Sequence, residues 1–189
     1  MVRRHPCILL AVLALALVAI PGTASASTAA RPSACASSAA HVAVNPATVV
    51  EARVATLCLL NRERTSRGLR PLRLNEKLSN VAAAHSRDMV TKKYFAHDSL
   101  NGTSPFARIL AAHYAPRNST WWLGENIGWG SDALGQPIEL VRAWMHSPDH
   151  RANILSADYR EIGIGIAPGV PIHEDVTGAT YTTDFGRHT

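Results

Sequence analysis

The sequence predicts an α+β fold, on three observations. Between residues 46 and 155 apolar side chains recur at helical spacing, and the breaks between runs carry cap residues. After residue 160 the stretches Gly163-Ile164-Gly165-Ile166 and Tyr181-Thr182-Thr183-Asp184-Phe185 alternate as strands do. Helices that lie before and between a few late strands indicate α+β layering.

The chain opens on a different kind of segment. Arg3, Arg4 and His5 are basic, Ile8 to Ile20 is an unbroken apolar run of 13 residues, and Ala24-Ser25-Ala26 follows the helix-breaking pair Pro21-Gly22. That order of charge, apolar centre and small residues is a secretory signal peptide, so residues 1–26 are read as a leader and the rest as a secreted, extracellular protein. A membrane span wants about 20 apolar residues, and the mature chain has no such run. Residues 27–45, rich in Ala and Ser, read as a flexible linker, and 46–189 as one domain large enough for a real core.

Within the domain, Asn45-Pro46 signals a first helix, with Val50, Val54, Leu57 and Leu60 at helical spacing and Gly68 as its end. Asn75 caps a second, whose apolar stripe is Leu78, Val81, Ala82, His85 and Met89. Ser104-Pro105 starts a third, with Phe106, Ile109 and Leu110 inward. Residues 115–124 read as a loop carrying Trp121 and Trp122, and a short strand follows around Ile127 and Trp129. Pro137 opens a fourth helix with Ile138, Val141 and Met145; Ser147-Pro148 stops it and caps a short one running to Leu155. In the late strand, Gly163 and Gly165 leave one face bare, where a helix or a ligand can come close.

Charge and cysteines narrow the function classes. The leader removes Arg3 and Arg4 from 19 basic residues and none of the 14 acidic ones, leaving a scattered +3. Nucleic-acid binding wants a clustered basic face interleaved with aromatics, and none is present. Cys35 and Cys58 remain after Cys7 leaves with the leader. In an oxidising compartment that pair reads as a disulfide tying the N-terminal arm to the first helix; the alternative is a buried Cys58 and a free thiol at Cys35.

Polar groups that a simple fold does not need concentrate in four segments: Phe95 to Ser99, Gly124-Glu125-Asn126-Ile127, Trp144 to Leu155, and Tyr181 to Gly186. The order F-x-H-x-S, G-E-N-I, W-M-x-S-P-x-H-R-x-N-I-L, G-I-G-I and Y-T-x-D-F-G resembles the bacterial branch of the CAP superfamily, which includes cysteine-rich secretory proteins, antigen 5 and plant pathogenesis-related proteins. The resemblance covers about residues 55 to 187. It implies an α-β-α sandwich, with a small antiparallel sheet between helix layers. It also implies a central cleft in which His97 stands for the first histidine of the family, Glu125 for the first acid and His150 for the second histidine. The chain departs from the eukaryotic pattern at the second acid, where Ser147 stands three residues after Trp144, and the H-Y-T-Q segment is absent.

Read as chemistry, two imidazoles and a carboxylate at His97, His150 and Glu125 suit a divalent metal such as zinc; the alternative is a hydrogen-bonded cluster that locks helices to sheet. Pro148 breaks the tempting pair His146 and His150, because the residue before a proline leaves the helical region. Asp149 is expected to cap, and Arg151, Asn153 and Asn126 to fix local loops. His85 reads as a satisfied core histidine. Ser99 is the one candidate nucleophile, without a visible elbow or oxyanion set. Asp184 either reaches the cleft or faces solvent. Trp121, Trp122 and Trp129 flank the G-E-N segment as a candidate apolar wall for a lipid- or glycan-type ligand.

Three function classes follow. The favoured one is an extracellular, non-enzymatic binding module with a polar cleft, a divalent metal and a groove for a lipid or sterol; several members of the resembling superfamily bind such ligands. The second is a hydrolase, metal-assisted through Glu125 or serine-based through Ser99, with His97 and His150 completing the site. The third is a wall-associated structural protein.

Overall fold

The structure, a computed structural model, describes Cys35 and residues 37–172 and 176–189. The leader lies outside these residues. Within the stretch read as a linker, Ser37–Ala40 forms a one-turn helix, α1, that packs on the next helix, and Ala40 is buried in the core. A disulfide joins Cys35 to Cys58, as expected.

Helix α2 spans Val49–Thr65. Asn45 does not cap it directly: its Oδ1 accepts from the backbone N–H of Ala47 (2.9 Å) and Thr48 (3.2 Å), forming a turn that leads into the helix. The inward face also differs from the expected stripe. Ala52, Ala55, Thr56, Leu59, Leu60 and Arg64 are buried, while Val50 and Val54 are exposed. Arg64 is fully enclosed because its guanidinium finds carbonyl acceptors at Arg70 (2.9 Å), Ile154 (2.7 Å) and Ser156 (2.9 Å). A buried cation needs such partners, and these pin α2 to the end of the last helix.

The short strand β1 (Arg73–Leu74) precedes α3 (Glu76–Lys92), which Asn75 caps through the Leu78 N–H (3.2 Å). Lys93 ends α3 in the left-handed region at φ 57°. Helix α4 (Pro105–Ala111) is capped by Ser104; it buries Ile109 but leaves Phe106 exposed, against expectation. Strand β2 runs from Trp121 to Ser131, so Trp121 and Trp122 sit on a strand rather than in a loop. A 3₁₀ turn (Asp132–Gly135) leads to α5 (Pro137–His146) and α6 (Pro148–Leu155), separated at Ser147, whose extended backbone is the one a following proline demands. Strands β3 (Glu161–Pro168) and β4 (Gly178–His188) complete the sheet.

The sheet order is β1-β3-β4-β2. The β2–β4 and β3–β4 pairs are antiparallel; only the two-residue edge β1 pairs parallel, to β3. On one face Ile162, Ile164, Ile166, Tyr181 and Phe185 join Leu59, Leu60, Leu140, Val141 and Trp144 of α2 and α5 in the main core. On the other face α3 lies against β3 and β4. The glycines decide how closely: a Cβ at Gly163 would lie 2.1 Å from the Leu78 carbonyl carbon, and one at Gly165 the same distance from that of Ala82. The bare face seen in the sequence is therefore filled by a helix. Helices cover both faces, giving the α-β-α layering.

Candidate functional site

The register of the sheet assembles the buried half of the site. Glu125 of β2 lies directly opposite Asp184 of β4, which in turn lies opposite Gly163 of β3. Opposed residues share a face, so both carboxyls point to the α3 side, where the chain between α3 and α4 passes over them. His97 in that connection bonds Glu125 through Nδ1 to Oε1 at 2.7 Å. Arg108 of α4 bonds the other carboxylate oxygen, Nη2 to Oε2, also at 2.7 Å. The Glu125 side chain is 2% exposed and Arg108 13%, whereas His97 is 52% exposed. An accessible imidazole thus stands on a buried ion pair.

Arg108 organises the loop as well. Its Nη1 donates to the carbonyls of His97 (2.9 Å) and Thr103 (3.1 Å) and to Ser99 Oγ (3.2 Å). No motif contains Arg108, and sequence reasoning missed it; an arginine three residues past a helix start carries no distinctive signal. The Ser99 hydroxyl faces a guanidinium, which is always protonated and cannot act as a base. That is a positioning bond rather than the activation a serine nucleophile requires.

The second half comes from the opposite layer, across the β2 edge. His150 on α6 bonds Ser147 Oγ through Nδ1 at 2.8 Å. The residue found where the eukaryotic pattern has an acid is therefore a partner of the second histidine. Asn126 Nδ2 donates to the His150 carbonyl (3.0 Å), and Asn153 Nδ2 to Asn126 Oδ1 (2.9 Å) and to the Glu125 carbonyl (3.2 Å). Tyr159 Oη donates to the Leu123 carbonyl (3.2 Å) and Trp144 Nε1 to that of Ile127 (3.0 Å). Alternate carbonyls of the free β2 edge are capped in this way, and an edge so occupied resists strand addition. Asn126 and Asn153 fix local structure as expected, but Arg151 is exposed, has no such bond among the described residues, and lines a surface pocket with Arg62 and Met145.

The electrostatics separate the two imidazoles. The Glu125 hydrogen bond holds His97 above the ordinary imidazole range, outweighing partial desolvation. Burial pulls His150 below that range, and the nearby positive charge of His97 adds to the effect. His85 is buried and held below it by desolvation and by Arg108; its Nε2 meets the Ala96 carbonyl at 3.0 Å, while Nδ1 has no partner among the described residues. Asp184 is fully buried, which overturns the solvent-facing alternative.

The predicted three-ligand set does not form as one cluster: among the described residues no three His, Cys, Asp or Glu side chains lie together as a metal ligand group. Glu125 bonds an imidazole on one oxygen and a guanidinium on the other. Each imidazole has Nδ1 bonded to an oxygen, which leaves its Nε2 for another partner. The three tryptophans are not one wall. Trp121 is 40% exposed and pairs with Phe106, ring centroids 6.4 Å apart. Trp122 is on the other strand face under the Arg187 guanidinium at 4.8 Å, packed on the core, and Trp129 is half-buried.

The model of the cysteine-rich secretory protein (CAP) family matches residues 57–171. The chain belongs to this family. Bacillus subtilis YkwD is 41% identical over 107 residues, 57% of this chain and 39% of YkwD. The B. subtilis membrane protein YlbC is 32% identical over 110 residues, 58% of this chain and 30% of its own length. The chain thus spans two fifths or less of the curated relatives it matches. Among solved structures, an extracellular SCP-domain protein from Bacillus anthracis superposes with a TM-score of 0.59 at 24% identity, over 76% of this chain and 44% of that one. An outer surface protein from Borrelia burgdorferi gives 0.58 at 18%, over 79% and 99%. These two likenesses establish a shared fold. Among the described residues no helix is long and apolar enough to cross a membrane.

Proposed function

We propose that this CAP domain is an extracellular, non-catalytic binding module. Its cleft offers Nε2 of His97 and Nε2 of His150 to a divalent metal, zinc being suited to neutral imidazoles. A metal held by two protein ligands keeps open positions for an external partner, and a lipid- or sterol-type ligand would rest its apolar part on Phe106 and Trp121.

The observation that carries this reading is the bonding of the two rings. In metal sites a ligating histidine commonly donates its other ring nitrogen to an oxygen, which fixes tautomer and orientation. Here the Glu125 carboxylate stands at that place for His97 and the Ser147 hydroxyl, which can accept, for His150, at 2.7 and 2.8 Å. The same bonds disfavour a hydrolase. A metal-assisted reaction would use Glu125 to activate water, and its side chain, 2% exposed, is enclosed in an ion pair with Arg108 rather than open to a water. A serine reaction would need a base at Ser99, which has Arg108 instead.

The test is calorimetric titration of the domain with zinc, beside a His97→Ala, His150→Ala double variant. Saturable binding by the native domain and none by the folded variant is the expected result. A native domain that binds no zinc would sink the metal reading and leave the cluster a structural lock.

A further inference from the structure

Asp184 is the anomaly of the interior. It is fully buried, and neither carboxyl oxygen has a hydrogen-bond partner among the described residues. Buried polar atoms are nearly always bonded, and one that is not calls for an explanation. An ionised carboxylate in this position would lose its hydration and receive no donor in return.

Its surroundings supply the explanation. The sheet register sets Asp184 directly across from Glu125 on one side, and from Gly163, which has no side chain, on the other. The α3 backbone at Leu78 closes over that glycine. The charged groups that act on it are Glu125 on β2 and Arg108 on α4. Arg108 engages Nη1 and Nη2 with His97, Ser99, Thr103 and Glu125, and its buried Nε, which has no partner among the described residues, makes no bond to Asp184. Glu125 has two donors, one on each oxygen, and is the member of the carboxyl pair equipped to be ionised. Adjacent buried carboxyls cannot both be ionised without large cost. A carboxylate has about four lone-pair sites, so Glu125 retains acceptor capacity.

We propose that Asp184 is a permanently neutral acid that donates its proton in a hydrogen bond to Glu125, making it the third donor of the clamp that fixes the His97 imidazole. Burial and the Glu125 charge both raise its proton affinity well above the usual carboxylate range, consistent with this assignment. Asp184 acts through Glu125 and is a positioning residue. The proton is shared along the bond and not transferred. The positioning role rests on the cleft reading above; the protonation state does not.

Infrared difference spectra of native protein against Asp184→Asn at neutral pH test the state directly. The native domain is expected to show a protonated-carboxyl carbonyl stretch that vanishes in the variant; no such band means an ionised Asp184 and overturns the proposal. The role is tested by zinc titration. Asp184→Asn retains an N–H donor toward Glu125 and is expected to stay within about twofold of native, whereas Asp184→Ala removes the donor and is expected to weaken zinc about 10–100-fold, as outer-shell substitutions do. A folded Asp184→Ala protein with native affinity overturns the positioning role, and if that variant does not fold, a loss in Asp184→Asn as large as 10-fold does so. Should the native domain bind no zinc, the binding reading fails while the infrared result still decides the proton. The role is then read from the His97 ring resonances, which must move in Asp184→Ala and stay in Asp184→Asn.

Discussion

Replacing Arg108 by methionine tests the frame of the site. Methionine keeps much of the side-chain volume and removes the guanidinium. The bonds lost are those to the carbonyls of His97 and Thr103, to Ser99 Oγ and to Glu125 Oε2. The last matters most, because the Glu125 side chain is 2% exposed and its other ion-pair partner is an imidazole that is half exposed. Breaking one member of a buried ion pair strands the other charge, at a cost of about 3–5 kcal/mol. For a domain of this size each kcal/mol moves the melting temperature by about 2–4 °C, so the expected drop is roughly 6–20 °C. Thermal and urea unfolding measure it. Adding Glu125→Gln removes the stranded charge, so the double variant should be less destabilised than the sum of the single ones by about 1 kcal/mol or more. If Arg108→Met unfolds within about 1 kcal/mol of native, the pair behaves like an exposed salt bridge and the buried-clamp argument is wrong.

Three further expectations follow from the same structure. The Cys35–Cys58 bridge has a sequence separation of 23, so Cys35→Ser should lower unfolding stability by about 3 kcal/mol in the chain-entropy account; a variant as stable as the oxidised native domain would refute it. The two cleft histidines should titrate on opposite sides of the ordinary imidazole value near 6.5. His97, with its folded value raised, contributes stability that is fully present below that value and lost as pH rises through the folded one; His150, lowered, contributes stability present above it and lost as pH falls. Proton NMR of the ring resonances checks the order, and a His150 midpoint above that of His97 would contradict the assignment. Gly163→Ala forces a Cβ to 2.1 Å from the Leu78 carbonyl carbon and 2.4 Å from the Ser79 nitrogen. Backbone atoms cannot rotate aside, so α3 must lift from the sheet, with an expected cost of about 1–3 kcal/mol or more; an unchanged melting temperature would mean that α3 rides further out.

The residues that were legible are those whose signal is local. Asn75 and Ser104 were read as caps and make cap bonds, because capping depends on a side chain and the N–H groups two or three residues on. The apolar stripe of α2 misleads at Val50 and Val54, which are exposed; the face that packs runs through Ala52, Ala55, Leu59 and an arginine. Small residues and a buried cation carry no apolar signal, yet a sheet and neighbouring helices on that side select them. Trp121 and Trp122 look like loop in the sequence because one large aromatic next to another obscures the alternation that β4 pairing imposes.

The sequence by itself determined the α+β class, the starts of α3, α4, α5 and α6, the two late strands, the glycine face and, through five ordered motifs, the family. Each of these depends on neighbours in the chain or on composition within one element. Only the tertiary structure decided what the cleft residues do. Glu125 and Asp184 are 59 positions apart, and it is the β2–β4 register that opposes them, just as the α4 packing brings Arg108 onto the same carboxylate. Whether a carboxyl is a metal ligand, one half of an ion pair or a neutral acid depends on its donors and its burial. Both are set by contacts between distant segments, which spacing along the chain does not encode.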